Sequence, residues 1–346
     1  MAVTVVVGGQ FGSEGKGKVA QYLAAEQRAA AVVRVGGSNS GHTGFSPSGE
    51  RMILRHLPTA ALLPQGLCVI GPGSYVDVHL LLDELRKTQL PLERLAIDYR
   101  ALEITPDDIA AEARDCKLEE IGSTCSGTGA AVRRRVERKA RSRGGLAATA
   151  VRDRVVDTTT ILRELLDQGE RVIVEGTQGF GLSVLHSPHY PFVTSRDTSA
   201  AGAISEAGLS PLDVDQVVLV LRAFPIRVGG NSGPLPNEVT WETIRQESGA
   251  RWDLDEFTSV TGRLRRVARF DPEIVCQAIA VNQPTHVVLN HIDHVDAAAA
   301  ELSSLTDRSR AFMADVEREI GHSVDLAGLG PSAFVETSRR LVGAAC

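Results

Sequence analysis

Short apolar runs rich in β-branched residues alternate along the chain with longer amphipathic segments. The apolar runs are nearly continuous, which is typical of strands buried on both faces of a sheet. This pattern predicts strands over Val3–Val7, Ala31–Val35, Cys68–Ile70, Val172–Val174, Val217–Leu221 and His286–Leu289. It predicts helices over Lys18–Ala30, Val76–Lys87, Thr158–Asp167, Pro272–Val281 and Arg308–Ile320. Such alternation indicates an α/β fold whose mostly parallel central sheet, flanked by helices, binds ligands at the carboxyl ends of its strands.

The domain organisation follows from length and from the absence of obvious breaks. A chain of 346 residues can form one large domain or two, and this one has no internal repeat and no low-complexity linker. We therefore predict a single domain over 1–346, with an inserted subdomain around 90–150 and a substrate-loop region around 227–270.

Charge and cysteine content narrow the class of protein. The net charge is −6, from 37 basic and 43 acidic residues, so a nucleic-acid polymer is not an expected partner. No apolar run approaches membrane-spanning length, and no signal-peptide pattern opens the chain. The five cysteines form no C-x-x-C pair, which favours reduced thiols and a cytoplasmic protein. The one strong charge run, residues 122–144, is either a solvated arginine-rich helix or an anion clamp.

The first loop, "GGQFGSEGKGK" at residues 8–18, lies where a predicted strand leads into a predicted helix. Glycines there let backbone N–H groups face an anion, and the helix dipole adds to that attraction. The predicted phosphate loop comprises Gly12, Glu14, Gly15, Lys16, Gly17 and Lys18. The spacing is close to G-x-x-x-x-G-K, but Val19 stands where that motif has a magnesium-binding Ser or Thr. The alternative interpretation is that its two lysines are solvated helix residues.

Other polar loops follow the later strands. "GGSNSGHTG" contains His42, which is either an acid or base near the first loop or a structural histidine. "EGTQGFG" offers the Gln178 amide to a base edge or an oxygen. "RVGGNSGPLPNE" is too glycine-rich for regular structure, and "TSVTGRLRRVAR" places Arg263, Arg265 and Arg266 behind a Thr-Gly turn. Those arginines suit a carboxylate or phosphate, with a solvated basic patch as the alternative.

The stretch "VVLNHIDHVD" is an apolar strand that ends in a polar-x-x-Asp turn, similar to the guanine-reading N-K-x-D of GTP-binding proteins. A metal cluster of His291, Asp293, His294 and Asp296 is the alternative. Their spacings do not bring four ligands to one ion, so we do not predict a metal among them.

Taken in order, these motifs resemble the adenylosuccinate synthetase family over nearly the whole chain. The matching segments are "GGQFGSEGKGK", "NSGHT", "GSTCSGTG", "EGTQG", "YPFVTS", "RVGGNSGPLPNE", "VTGRLRR", "NHID" and "GLGP". The resemblance implies a P-loop-like nucleotide-binding fold and a two-step ligation. A nucleoside triphosphate, with Mg²⁺, phosphorylates the 6-oxygen of a purine nucleotide, and the amine of L-aspartate then displaces that phosphate. Such chemistry consists mostly of positioning and charge neutralisation.

The resemblance also implies roles for individual residues. Lys16 would stabilise the transferring phosphoryl group, His42 would be the general acid at the 6-oxygen, and Ser13 and the Gly41 carbonyl would hold magnesium. The acceptor nucleotide would be bound by Ser13, Asn39, Ser123, Thr124, Arg138, Gln178, Thr194 and the Val228 backbone. The aspartate-binding loop would include Thr261, Arg263 and Arg265. The donor base would be bound by Asn290, His291, Asp293, Gly328 and Gly330. Arg138 matches a family arginine that reaches the neighbouring subunit's nucleotide, which implies a homodimer.

Ser13 departs from the family, whose members read "GDEGKGK" with an aspartate that takes the N1 proton of inosine monophosphate (IMP). Serine is a poor base and a weak metal ligand, so this substitution would cripple the reaction with IMP, although the rest of the loop is retained. An acceptor nucleotide other than IMP resolves this conflict. Guanylate carries a 2-amino group beside N1, and a short hydroxyl leaves room for it and accepts its hydrogen bond. This matches the phage branch of the family, which makes N6-succino-2-amino-2′-deoxyadenylate from dGMP and aspartate. Gln21, also a departure from a family aspartate, fits an altered purine pocket.

The donor and the alternatives stay open at this point. The family reads GTP with a Lys-x-Asp turn and a later serine, whereas this chain has His291 and Gly328 there. Losing both features favours ATP or dATP. The sequence leaves open the base that replaces the carboxylate. Two other functions are conceivable, an ordinary IMP-using synthetase or a nucleotide-binding switch that performs no ligation.

Overall fold

The structure, a computed structural model, describes residues 2–115, 118, 120–139, 144–258 and 262–337. Its strands are β1 (Val3–Gly8), β2 (Ala31–Arg34), β3 (His42–Phe45), β4 (Arg51–Leu54), β5 (Leu67–Ile70), β6 (Tyr75–Val76), β7 (Leu95–Asp98), β8 (Leu102–Glu103), β9 (Val155–Val156), β10 (Val172–Glu175), β11 (Val214–Arg222), β12 (Ile226–Arg227), β13 (Glu238–Val239), β14 (Arg266–Ala268), β15 (His286–Asn290), β16 (Leu326–Gly328) and β17 (Phe334–Glu336). Each of the six predicted strands is present, with ends that differ by up to three residues.

Ten of these strands form one sheet in the order β17-β16-β15-β11-β1-β10-β2-β5-β7-β9. Every neighbouring pair is parallel except β16 and β17. Smaller units are the antiparallel sheet β12-β14-β13, the hairpin β3–β4 and the parallel pair β6–β8. The predicted α/β class with a mostly parallel central sheet is confirmed.

The helices are α1 (Lys16–Glu26), α2 (Val78–Thr88), α3 (Pro106–Ala113), α4 (Thr128–Val136), α5 (Gly144–Ala147), α6 (Thr158–Asp167), α7 (Ala200–Ala207), α8 (Trp241–Ser248), α9 (Pro272–Asn282), α10 (Ala297–Leu302) and α11 (Asp307–Ile320). The prediction that the second helix begins at Val76 is wrong. Val76 belongs to β6, and the Asp77 carboxylate caps α2 by accepting from Leu80 N at 3.1 Å. In the described parts of the chain, no helix combines the length and apolarity needed to cross a membrane.

Both faces of the sheet are buried, as the continuous apolar runs predicted. Val5 of β1 belongs to a core cluster with Ile204 of α7 and Val275 of α9. Val6, the next residue, points to the opposite face and belongs to a cluster with Leu23 of α1. The sheet is therefore covered by helices on both sides, which leaves the strand ends as its accessible edge.

Five adjacent central strands end in site residues. β15, β11, β1, β10 and β2 end at Asn290, Arg222, Gly8, Glu175 and Arg34. The parallel register pairs Arg34 with Glu175 and Arg222 with Asn290. Charged and amide side chains from distant parts of the chain thus meet at one edge of the sheet.

The predicted subdivisions can be located in this fold. The 90–150 region contributes β7 to the main sheet and then runs through α3 and α4. The 227–270 region contains β13, β14 and α8, beside the main sheet. Their division into an inserted subdomain and a substrate-loop region stays a prediction.

Candidate active site

The first loop folds around its own carboxylate. Glu14 is fully buried, and its Oε1 accepts from Gln10 N at 3.1 Å and Gly12 N at 2.8 Å. Its Oε2 lies 2.6 Å from the ammonium of buried Lys16. The donors of the loop thus surround a negative charge, which is the Glu14 carboxylate. That the loop binds phosphate stays a prediction. A phosphate that contacts the Lys16 ammonium would therefore compete with the Glu14 carboxylate for it.

Ser13 stands at the turn of the first loop. Its φ is 57°, its side chain is exposed, and its carbonyl accepts from Arg222 Nη1 at 3.1 Å. A methyl group built on neighbouring Gly12 would lie 3.8 Å from Gln178 Oε1, so the loop borders the residues that follow β10. Ser13 is therefore an exposed residue that follows the point where the loop approaches Gln178.

The sequence predicted Lys18 as part of the phosphate loop, but its ammonium points away from that loop. Its Nζ donates to Gly330 O at 2.7 Å and lies 5.0 Å from the centre of the Phe334 ring. Burial lowers the pKa of Lys18 to about 8, and Asp293 opposes that shift. Lys18 therefore joins α1 to the segment after β16 and to β17, whereas Lys16 contacts Glu14 within the loop.

A cavity of about 510 Å³ opens between α4, the first loop and the segment after β10. It is lined by six of the predicted acceptor residues, namely Asn39, Ser123, Thr124, Gln178, Thr194 and Val228. The Asn39 amide donates to the Thr194 hydroxyl at 3.5 Å, which joins two of these segments. Ser13 and Arg138 do not line the cavity, and Arg138 is exposed just beyond α4. The cavity is of the size that holds a small organic ligand.

His42 is buried and belongs to a charged cluster. Its Nδ1 lies 2.5 Å from Glu175 Oε1, and the Arg34 guanidinium contacts both ring nitrogens, with Nη1 3.0 Å from Nε2. Glu175 also accepts from the backbone N–H and hydroxyl of Thr59, at 2.9 and 3.0 Å. Burial, then the Arg34 charge, lowers the pKa of His42 to about 3, so its imidazole is neutral at pH 7.

The arginines of the predicted aspartate loop lie at different depths. Thr261 is outside the described residues. Arg263 is exposed, whereas Arg265 is half-buried, and its backbone N–H donates to Glu256 O at 2.8 Å. Burial lowers the pKa of Arg265, and the carboxylates of Glu256 and Glu14 oppose that shift. Arg265 is thus the loop arginine that faces the first loop.

The end of β15 and the turn that follows it carry buried polar atoms with no hydrogen-bond partner among the described residues. They are Asn290 Oδ1, Asp293 Oδ1 and His294 Nδ1, three of the seven such side-chain atoms found in the described chain. His291 has a φ of 63° and begins the short turn Ile292–His294. Burial lowers the pKa of both histidines, so they are neutral hydrogen-bonding groups. Asn290 Oδ1, Asp293 Oδ1 and His294 Nδ1 are hydrogen-bonding atoms of the type that can read a base.

Within the described ranges, one group of side chains has the composition of a metal site. Ligand atoms of Glu256, His291 and His294 lie within 4.8 Å of one another. The sequence prediction considered the two histidines with Asp293 and Asp296, and Glu256 comes from a distant loop. Arg222 already pairs with the Glu256 carboxylate through both of its terminal nitrogens. We therefore interpret the group as a hydrogen-bonding surface.

Gly328 fits closely against Asn290. A methyl group at Gly328 would lie 2.1 Å from Asn290 Oδ1 and 2.9 Å from Lys18 Nζ. The Asn290 amide cannot retreat without losing its hydrogen bond to Glu14 O, at 2.7 Å. We expect Gly328→Ala to lower the free energy of unfolding by about 1–3 kcal/mol, as overpacking does, and to raise the KM for the nucleotide donor about tenfold. Urea unfolding and initial rates at varied donor concentration measure the two effects.

The double variant Gly328→Ala/Asn290→Ala is the matched control for that prediction. Removing the Asn290 amide makes room for the methyl group at position 328. The free energy of unfolding should therefore recover relative to Gly328→Ala, while the KM for the donor stays high. Unchanged stability and KM in Gly328→Ala alone would contradict the assigned contact.

The structure does not place Gln21 at the cavity. Its amide donates to Phe45 O at 2.6 Å and accepts from Phe45 N at 3.0 Å. Gln21 therefore holds β3 against α1, and the prediction that it alters the purine pocket finds no support in the structure.

Four site residues were not singled out from the sequence. Arg34, Glu175 and Arg222 are the last residues of β2, β10 and β11, and Glu256 reaches Arg222 from a loop. A signal for the first three exists, because each is a charged residue that ends an otherwise apolar strand. The sequence does not show which residue pairs with each of these charged side chains, because the pairing depends on the order of the strands in the sheet.

Three kinds of comparison relate the chain to known proteins. A sequence model of the family described as "Adenylosuccinate synthetase" matches residues 5–151 and 145–303. An adenylosuccinate synthetase of Thermococcus sibiricus is 36% identical over 334 residues, covering 94% of this chain and 95% of the relative. One from a Pyrococcus species is 35% identical over 338 residues, covering 96% of each.

Two solved structures have similar folds. Fully ligated adenylosuccinate synthetase from Plasmodium falciparum is 20% identical with a TM-score of 0.85, covering 97% of this chain and all of that one, and supports the fold alone. The succinoaminodeoxyadenylate synthetase of cyanophage S-2L, bound to dGMP and to dATP as an energy donor, is 29% identical with a TM-score of 0.81. That match covers 98% of this chain and 96% of the cyanophage chain.

Proposed function

The chain belongs to the adenylosuccinate synthetase family, and from that premise we propose that it joins L-aspartate to dGMP. Members of this family are nucleoside-triphosphate-dependent ligases that form a C–N bond, which sets aside a nucleotide switch without ligation. The proposed products are N6-succino-2-amino-2′-deoxyadenylate, ADP and phosphate. The first of them would be a precursor of 2-aminoadenine nucleotides in a phage-infected cell. The proposed location is the cytoplasm of the host.

Ser13 supports a guanine acceptor over IMP, and the likeness to the cyanophage enzyme supports the deoxyribonucleotide. The hydroxyl is exposed on a loop whose Lys16 is retained, so the serine is a change of substrate and not a sign of decay. A short side chain in the first loop, next to the glycine that approaches Gln178, would leave room for a 2-amino group and accept its hydrogen bond. The likeness to a cyanophage enzyme bound to dGMP supports this choice.

In the proposed mechanism, the 6-oxygen of dGMP attacks the γ-phosphorus as the N1 proton passes to water, and the bond to the ADP oxygen breaks. The neutral aspartate amine then attacks C6 and releases a proton to water, and the C6–O bond breaks with its electron pair on the departing phosphate. Lys16 neutralises charge that develops on the phosphoryl oxygens. His42, next to the loop, is the proposed general acid at the 6-oxygen. Arg265, with Arg263 and Thr261, holds the carboxylates of aspartate. Six cavity residues bind the acceptor, and Arg138 of one subunit reaches the other's nucleotide in a homodimer.

The oxygen atoms offered by the Ser13 hydroxyl and the Gly41 carbonyl fit magnesium. Mg²⁺ prefers oxygen ligands, and in phosphoryl transfer it takes most of them from water and phosphates. Gly41 precedes His42, and a methyl group on Gly17 would lie 2.7 Å from the His42 side chain, so both candidate ligands flank the start of α1. When bound, the ion supplies charge neutralisation for the phosphates.

ATP or dATP is the proposed donor. The buried, unpartnered Asp293 Oδ1 can accept from the 6-amino group of adenine. Gly328 leaves no space beside Asn290 for the serine that helps other family members read guanine. The dATP bound to the cyanophage enzyme supports the same choice.

An ordinary adenylosuccinate synthetase that uses IMP and GTP is the second candidate. It is favoured by the relatives from Thermococcus sibiricus and a Pyrococcus species, which are described as adenylosuccinate synthetases and are 36% and 35% identical to this chain.

The test is aspartate-dependent phosphate release with product mass, in Mg²⁺, offering dGMP, GMP or IMP with ATP, dATP or GTP. We expect turnover with dGMP and an adenine nucleotide, and kcat/KM for IMP lower by about 100-fold or more. Turnover with IMP and GTP alone would establish the second candidate.

A further inference from the structure

Arg222, the last residue of β11, is a fully buried cation with no role in the proposed mechanism. Both of its terminal nitrogens contact the Glu256 carboxylate, with Nη1 3.2 Å from Oε2. Nη1 also donates to Ser13 O at 3.1 Å. One guanidinium therefore joins the first loop to the loop that contains Glu256.

The backbone of Arg222 is held to the first loop as well. Gln10 Oε1 accepts from Arg222 N at 2.9 Å, and Gln10 Nε2 donates to Arg222 O at 3.2 Å. Gln10 is fully buried, and its own N–H donates to the Glu14 carboxylate. The end of β11 and the first loop thus form one hydrogen-bonded unit, from which the guanidinium reaches outward.

Glu256 stands at the base of a hairpin that carries the arginines of the predicted aspartate loop. Its carbonyl accepts from Arg265 N at 2.8 Å. Two residues further in, Thr258 N donates to Arg263 O at 2.9 Å, and the Thr258 hydroxyl accepts from Arg263 N at 3.0 Å. The residues between these two pairs form an antiparallel bridge. Because Glu256 and Arg265 are direct partners, a displacement of Glu256 displaces Arg265 as well.

We propose that Arg222 is a positioning residue that sets the aspartate loop against the first loop. In the proposed function, the aspartate amine attacks an acceptor that is activated at the first loop, so the two loops have to hold their ligands at reacting distance. The expected effect on aspartate therefore rests on the proposed function. The contacts of Arg222 with Ser13 and Glu256 do not.

The shape of the guanidinium suits this role. A planar fork that takes both oxygens of a carboxylate fixes the angle of its partner as well as the distance. Stability alone is a weak reason for such a pair, because the cost of burying charges offsets much of their attraction. Without the guanidinium, the hairpin keeps its internal hydrogen bonds but loses its anchor. Arg263 and Arg265 would then take a wider range of positions relative to Lys16.

The test is initial-rate kinetics of Arg222→Met, with L-aspartate, dGMP and ATP varied in turn in the presence of Mg²⁺. We expect kcat/KM for aspartate to fall by about 100-fold, because small misplacements of reacting groups have effects of that size. About tenfold of that loss should be a higher KM for aspartate. The KM for dGMP should change little, since the cavity residues keep their contacts. An equal rise in the KM of all three substrates would overturn the proposal.

Arg222→Lys separates the fork from the charge, and it also covers the case in which Arg222→Met does not fold. Lysine keeps the positive charge but offers a single ammonium, which cannot hold both loops in the same way. The KM for aspartate should therefore still rise. Full recovery of the kinetics in Arg222→Lys would show that only the charge matters, and it would overturn the positioning role.

Glu256→Gln tests the other end of the contact. It should raise the KM for aspartate by a factor similar to that of Arg222→Met. Arg222→Met/Glu256→Gln should be no worse than either single variant, because both changes act through one contact. Losses that multiply in the double variant would mean that the two residues act separately, against the proposal.

Arg100→Met is the matched control. Arg100 pairs with the buried Asp98 carboxylate at the end of β7, with its Nε and Nη2 each 2.8 Å from an oxygen. Its loss also removes an arginine from a carboxylate, but β7 lies five strands from β11 in the sheet. Stability to urea should fall while the KM for aspartate stays unchanged. An equal rise of that KM in Arg100→Met would mean that lost stability, and not position, is the cause.

Hydrogen exchange of the ligand-free protein tests the anchor without turnover. The amides of Thr258 and Arg265 should exchange faster in Arg222→Met than in the unmodified protein or in Arg100→Met. Unchanged exchange in a folded Arg222→Met would overturn the proposal. An absence of dGMP turnover in the unmodified protein, with faster exchange in Arg222→Met, would count against the proposed function and leave the anchor in place.

Discussion

Ser13→Asp is expected to transfer activity from dGMP to IMP. The carboxylate fills the space that a 2-amino group needs, and it supplies the base and magnesium ligand that the family uses with IMP. We expect kcat/KM for dGMP to fall by about 100-fold or more, and that for IMP to rise by a similar factor. Initial rates with both acceptors at saturating aspartate and ATP measure the switch.

Ser13→Ala is the control for that substitution. It removes the hydroxyl without filling the space, so the loss for dGMP should be about tenfold, the value of one hydrogen bond, with no gain for IMP. If Ser13→Asp keeps full activity with dGMP, position 13 does not select the acceptor. If the unmodified protein already prefers IMP, Ser13 is a tolerated variant in an ordinary synthetase.

Lys16→Met should nearly abolish ligation. Removing a charged donor aimed at the transferring group costs about 10²–10³ in kcat. The substitution also leaves the fully buried Glu14 carboxylate without its cation, so we expect a loss of about 3–5 kcal/mol in unfolding free energy. Single-turnover phosphate release and urea unfolding separate the two effects.

Two further variants distinguish catalysis from stability. In Glu14→Gln/Lys16→Met both charges are absent, so much of the stability should return while activity stays low. Lys87→Met makes the same change at an exposed lysine that pairs with Asp83, and it should change neither quantity by much. Recovery of activity in the double variant would show that Lys16 serves only to neutralise Glu14.

Local pattern was sufficient for much of the fold. Continuous β-branched runs identified the central strands, because burial on both faces leaves no polar alternation. The helix Thr158–Asp167 was predicted with the bounds of α6. The boundary at Val76 was missed because the Asp77 cap, and not hydrophobicity, starts α2. Loop glycines located the first loop, but not which of its lysines stays inside it.

The sequence by itself determined the fold class, the order of the polar loops and the unusual serine at position 13, because these depend on residue type and spacing along the chain. The tertiary structure decided which charges meet. Strand order and register bring Arg34 to Glu175 and set Asn290 between Glu14 and Gly328. Burial then decides protonation, since it keeps His42 neutral and lowers the pKa of Lys18 to about 8. The contacts of Arg34 with Glu175 and of Asn290 with Glu14 join residues more than a hundred positions apart, and no local pattern encodes which residues become such neighbours.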